Sequence, residues 1–278
     1  GDFSDDGQPV HVRGLKKILN EYSQKHGLSF YVTTGNHDVV RPFSQDAAKT
    51  DFLGKDGKEQ IISSSKNNFN KSKSELEPII TTDIKNWGYK ETIQEMRDFG
   101  FFPKKADLYW ETPFSNNTYE QYNFKKAQKE SVLEKRTYLI KNTNLFLPDA
   151  SYLVEPIKGI WLLAIDANAY VPNEKLSGKQ DDAHNFSVAN TGYNNVLTYK
   201  SHLLNWVKKV SAEAKQRGKI LIAFSHYPMV EFNDNASPEL KQLFGADKMQ
   251  LKRVPDEEVA QQFADAGIQI HFGGHMHI

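Results

Sequence analysis

Apolar and polar positions along this chain follow two rhythms. In HVRGLKKILNEYSQKHG, Val12, Leu15, Ile18, Leu19 and Tyr22 recur at helical spacing, and Gly27 follows as a stop signal. The next stretch, Phe30 to Thr34 of SFYVTTGNHD, is β-branched and aromatic and runs into a glycine turn, which predicts a short strand. A helix, a strand and a loop in that order make half of an α/β repeat.

The rhythm returns near the other end. GIWLLAIDAN is an almost continuous apolar run, the pattern of a strand buried on both faces. A helix is predicted from about Thr198 to Lys215, with Leu203, Leu204, Val207 and Val210 on one side. KILIAFSH reads as the next buried strand. Pro255 and a capping Asp256 open a further helix that stops at Gly267, and IQIHF is one more strand, with GGHMH as the loop after it. Loops at the carboxyl ends of strands are where open α/β sheets build their sites.

Residues 41–150 keep neither rhythm. KDGKEQIISSSKNNFNKSKSELEP is polar and reads as a solvated loop, and the segments after it are aromatic without a clear period. Two readings stand. The segment is a surface insertion with its own small core, or it is a cap over a site, with Tyr109, Trp110 and Phe114 contacting substrate.

Composition narrows the chemistry. With 35 Lys and Arg against 35 Asp and Glu, the 278-residue chain has no net charge that would favour nucleic acid as the main partner or an anionic membrane surface. No apolar run approaches the length of a membrane span. There is no cysteine, so any metal must be held by oxygen and imidazole nitrogen. The composition is compatible with an exported bacterial protein and equally with a cytoplasmic one.

Such ligands cluster in four short stretches: Asp2 in GD, then Asn36, His37 and Asp38 in GNHD, His226 in FSHYP, and His275 and His277 in GGHMH. Each follows a predicted strand or stands where the chain could have just left one, so parallel strands would bring them to one sheet edge. Carboxylate, amide oxygen and imidazole suit Mn, Fe or Zn. His11, His26, His184, His202 and His271 read instead as surface or core residues. Asp166 and Asn168 of IDAN read either as groups near the site or as turn and cap residues.

GD, GNHD, a lone histidine after a strand and GHMH, in that order, resemble the calcineurin-like metallophosphoesterase family, from Gly1 to His277 with a long insertion after GNHD. The resemblance implies a four-layer α/β sandwich, two central mixed sheets flanked by helices, with two divalent or trivalent ions at the strand ends. It implies that Asp2 bridges both ions, that Asn36, His226 and His275 complete the second, and that His277 binds the first. His37 would reach the phosphate oxygens or protonate the leaving group, with Asp38 orienting it through a hydrogen bond. The implied reaction is hydrolysis of a phosphomonoester or phosphodiester by a metal-bridging hydroxide, on a small or medium organic phosphate. The alternative is a non-catalytic binding or scaffold protein that keeps the fold with one metal or none.

Two departures qualify the resemblance. The family carries an Asp-x-His before GD and further strands after GHMH. Their absence here implies a segment of a longer protein whose first metal shell is incomplete; a one-metal site, or ligands supplied by another chain, are the alternatives. The purple acid phosphatase branch has a tyrosine three residues after the bridging aspartate, where this chain has Asp5, which argues against that branch. Asp5 and Asp6 of DDG read as turn residues.

Overall fold

The computed structural model describes residues 1–70, 74–189, 192–249 and 251–276. Among these, the strands are β1 (Ala48–Leu53), β2 (Glu59–Ser63), β3 (Ile79–Ile80), β4 (Tyr109–Glu111), β5 (Thr137–Leu139), β6 (Phe146–Pro148), β7 (Tyr152–Ile157), β8 (Ile160–Ile165), β9 (Ile220–Ser225) and β10 (His271–Phe272). The helices are α1 (Pro9–His26), α2 (Tyr89–Glu95), α3 (Phe124–Glu130), α4 (Tyr193–Tyr199), α5 (His202–Gln216), α6 (Ser237–Phe244) and α7 (Glu257–Asp265). The architecture is mixed α/β. A five-stranded sheet in the order β10-β9-β8-β7-β4 lies at its centre, with a three-stranded sheet β1-β2-β3 and the pair β5-β6 outside it.

Half of the central sheet is parallel. β8 pairs with β9 through α5, and β9 with β10 through α7, because parallel neighbours need a crossover. The other half is antiparallel, β8 to β7 and β7 to β4. Alternate residues of β8 face opposite ways, which explains its apolar run. Trp161, Leu163 and Ile165 pack in one core with Leu203, Val207 and Val210 of α5 and Phe263 of α7. Ala164, with Tyr152 and Val154 of β7, enters a second core on the other face with Val12, Tyr89, Ile93 and Phe101. Each large side chain so buried contributes about 1.5–3 kcal/mol.

The predicted helix over residues 12–22 lies within α1, and Gly27 ends it in the left-handed conformation, φ 67°. The predicted strand over 30–34 does not form a ladder. Val32 N–H donates instead to the Phe99 carbonyl (2.9 Å), and Thr34 Oγ1 to the Asp166 carboxylate (3.2 Å). The helix predicted from Thr198 begins instead at His202, because the chain breaks at Lys200, whose side chain turns inward and is wholly buried. Asp256 precedes α7 without capping it through its side chain; its own N–H donates to Asn194 Oδ1 at 2.9 Å.

Residues 41–150 do not keep a core to themselves. β1–β3 sit apart, but Ile93, Met96, Phe101, Trp110 and Ile140 share one core with Val12, Tyr152 and Ala164, and β4 joins the central sheet. Tyr109 and Trp110, read as candidates for substrate contact, are fully buried. Tyr109 Oη donates to Glu111 (2.7 Å) and Trp110 Nε1 to the Gly100 carbonyl (2.9 Å). Phe114 packs on the His202 ring, centroids 5.2 Å apart. Among the described residues no helix is long and apolar enough to cross a membrane.

Candidate metal centre

The parallel half of the sheet delivers its carboxyl ends to one edge. Asp166 leaves β8, His226 leaves β9, and Gly273 to His275 leave β10. Register keeps these ends level, with Ile165 opposite Ser225 and Phe272 opposite Phe224. The loop is drawn against β9 by Gly274 N–H, which donates to the His226 carbonyl at 2.8 Å.

Four of the sequence-derived ligands meet at one point. His226 Nε2 lies 2.9 Å from Asn36 Oδ1, 2.8 Å from His275 Nδ1 and 3.1 Å from Asp2 Oδ2. His226 is 3% exposed, so water does not screen these contacts. The two oxygens can only accept. Carboxylate, amide oxygen and imidazole nitrogen so gathered are a donor set that a cation could share. Separations near 3 Å also match neighbouring ligands about 2.1 Å from a shared ion. The fifth expected ligand, His277, lies outside the described residues.

The backbone is held in unusual shapes to achieve this. Asp2 and His275 both adopt the left-handed region, φ 54° and 73°, a conformation that costs a non-glycine residue energy and tends to gather at functional sites. Gly35 is required by close approach. A Cβ there would fall on the Asp2 carboxylate and 2.5 Å from the Asp2 nitrogen. Burial alone would raise the Asp2 carboxyl, but the His226 hydrogen bond and charge, with the His37 N–H donated at 2.9 Å, outweigh it and hold the group at about 2.

Asp38 does not orient His37. It is wholly buried, and its carboxylate accepts Asp2 N–H (2.7 Å), Gly35 N–H (2.8 Å), Ser4 N–H (2.9 Å) and Ser4 Oγ–H (3.1 Å). It staples the 2–4 segment to the GNHD turn, and burial pushes its carboxyl up. The sequence could not separate a carboxylate that holds a side chain from one that holds backbone. His37 is oriented instead by the Asp5 carbonyl, 2.5 Å from Nδ1. A carbonyl only accepts, so Nδ1 carries the proton.

Asp166 and Asn168 stand behind the site. Asn168 Nδ2 donates to the Gly35 carbonyl at 3.1 Å. Asp166 accepts Tyr89 Oη (2.6 Å), Thr34 Oγ1 (3.2 Å) and Lys200 Nζ (3.0 Å). Lys200 also meets Asp149 at 3.3 Å, and His202 Nε2 meets the same carboxylate at 2.9 Å. Those hydrogen bonds and charges overcome burial and hold Asp149 well below the usual carboxylate range. His271 is different. Its Nε2 pairs with Ser225 Oγ at 2.8 Å, and burial pushes it from 6.5 down to about 4.

Asp5, Asp6 and His37 form a second acidic and imidazole group. It already holds a cation. Lys49 Nζ sits 2.7 Å from Asp5 Oδ2 and 2.5 Å from Asp6 Oδ2. Burial lowers the Lys49 ammonium on its own, and the two carboxylates more than reverse this. Lys49, like Arg253, whose Nη1 lies 3.1 Å from His275 Nε2, had no sequence signal, since nothing near either residue in the chain marks its partner. No family model and no curated protein matches this chain.

Proposed function

We propose that this protein is a metal-dependent phosphoesterase of the calcineurin-like kind, acting on a small or medium organic phosphate mono- or diester. The single observation that carries the reading is the meeting of Asp2, Asn36, His226 and His275, from four distant segments, around one point rich in lone pairs. Those residues would hold Mn, Fe or Zn, with His277 as a further ligand. Bound ions would supply positive charge and Lewis acidity beside the phosphate. The four-layer sandwich belongs to the same proposal, and the mixed sheet with its parallel strand ends at the site is compatible with it.

The chain's own residues supply position and a proton. Asp38 and Asn168 hold the two faces of the GNHD turn, so Asn36 and His37 leave it in fixed directions. Because His37 Nδ1–H is engaged by Asp5, Nε2 is the nitrogen that exchanges protons. As imidazolium, His37 gives the Nε2 proton to the leaving oxygen as the bond from that oxygen to phosphorus breaks and a water oxygen, losing a proton to solvent, bonds to phosphorus in its place. The ring is 44% exposed and open to a ligand.

Hydrolysis of aryl phosphate mono- and diesters with added Mn²⁺ tests this, comparing the full-length protein with its Asn36→Ala, His226→Ala double variant. Turnover that falls at least a hundredfold in the variant supports the reading. Equal, background turnover by both defeats it and favours a non-catalytic scaffold.

A further inference from the structure

The insertion after GNHD reaches the 5–6 turn beside the candidate site through Lys49. Lys49 lies on β1, and the β1–β2 ladder is regular at Lys49↔Ile62 but slips before Phe52↔Gln60. Such irregularities re-aim side chains. Here the ammonium reaches between two adjacent carboxylates, Asp5 and Asp6, which repel each other without it. The turn they occupy is also held by its neighbours, with Asp5 N–H donating to His11 Nδ1 at 3.3 Å. Ser4 Oγ donates to Asp38 and accepts Gly7 N–H (2.9 Å), and Gln8 Oε1 accepts Asp6 N–H (2.7 Å). The carbonyl of that turn, at Asp5, is the group that receives His37 Nδ1–H.

We propose that Lys49 is a positioning residue: by clamping Asp5 and Asp6 it fixes the carbonyl that sets the tautomer and direction of the His37 ring. As an ordinary ion pair it would contribute little, because Asp5 is 56% exposed. Its effect is geometric. Without the clamp, the two carboxylates separate, the 5–6 peptide turns, and the ring loses its fixed acceptor. The part of the inference that concerns proton donation rests on the phosphoesterase reading; the part that concerns the ring does not.

The first test needs no turnover. Imidazole ¹⁵N spectra at about pH 8.5, roughly two units above an ordinary histidine, are compared for the wild type, Lys49→Met and Lys49→Arg. The expected result is a His37 ring protonated at Nδ1 in the wild type and in K49R, and a shift toward mixed tautomers in K49M. An unchanged His37 spectrum in folded K49M overturns the proposal. The second test uses the alkyl-to-aryl ratio of kcat on phosphate esters, since alkoxides need a proton donor more than aryloxides do. K49M is expected to lower that ratio about tenfold, and K49R to restore it within threefold. Equal losses on both esters, or a change in KM alone, overturn the positioning role. Failure of the wild type on both esters defeats the phosphoesterase reading and leaves the spectral result standing.

Discussion

Two clusters, linked through Thr34 and Asn168, both gather carboxylate and imidazole and differ in their partners. Asp149, Asp166, Lys200 and His202 form one; Asp2, Asn36, His226 and His275 form the other. In the first, each carboxylate receives donors, from Lys200, His202, Tyr89, Thr34 and backbone N–H groups. In the second, carboxylate, amide oxygen and two imidazoles crowd one nitrogen. The first is complete as protein and serves the fold. The second gathers the ligand types that the proposed metal site would use.

Substitution should separate them sharply. Lys200→Met leaves two buried carboxylates without their cation, which costs about 3–5 kcal/mol. Denaturant unfolding of metal-free protein reads that loss directly; a change below 1 kcal/mol would remove the distinction. Asn36→Ala in metal-free protein relieves a crowded acceptor and is expected to cost less than about 1 kcal/mol. What it should abolish is stabilisation by added Mn²⁺. That stabilisation is expected to be about 2.7 kcal/mol in the wild type at a hundredfold excess over Kd. An equal melting shift in wild type and variant would show that the ion binds elsewhere.

Acid sharpens the contrast by a smaller amount. His271, held at about 4 when folded and near 6.5 when free, binds fewer protons in the folded chain between those values. Its contribution is therefore whole above pH 6.5 and falls as pH drops toward 4, by up to about 2 kcal/mol between pH 7 and pH 5. Asp149 is also shifted down, by its ion-pair and hydrogen-bond partners rather than by burial. Its folded value lies below its free one, so its contribution persists above the ordinary carboxylate range and is lost only in stronger acid. Stability measured from pH 7 to pH 5 should thus fall less in His271→Gln than in the wild type. Parallel curves would place the loss outside His271.

Much of this was legible in the chain, and the reasons are local. α1, β8 and β9 follow from periodicity, because burial on one or both faces writes itself into neighbouring residues. The four meeting ligands were found because each follows a glycine turn or a strand end. What escaped depended on distant partners. Residues 30–34 have a strand's composition, but pairing needs a second backbone, and Val32 meets Phe99 instead. Lys200 sits in a helical pattern, yet two carboxylates from other segments draw it out of the helix. Asp38 could be named but not given its task, since only the fold shows that it binds Asp2, Ser4 and Gly35. Trp110 looked available in an aperiodic stretch and is sealed by β4 joining the sheet.

The mixed pairing of the central sheet gives the molecule a quiet end and a working end. β7 and β8 join at Lys158 and Gly159, at the opposite end of the strands from His226, and a side chain at Gly159 would meet no atom within 4 Å. A reporter or affinity handle spliced into that hairpin would ride on the rigid frame without reaching the histidines, whereas one placed after Ile165 or Ser225 would land among them.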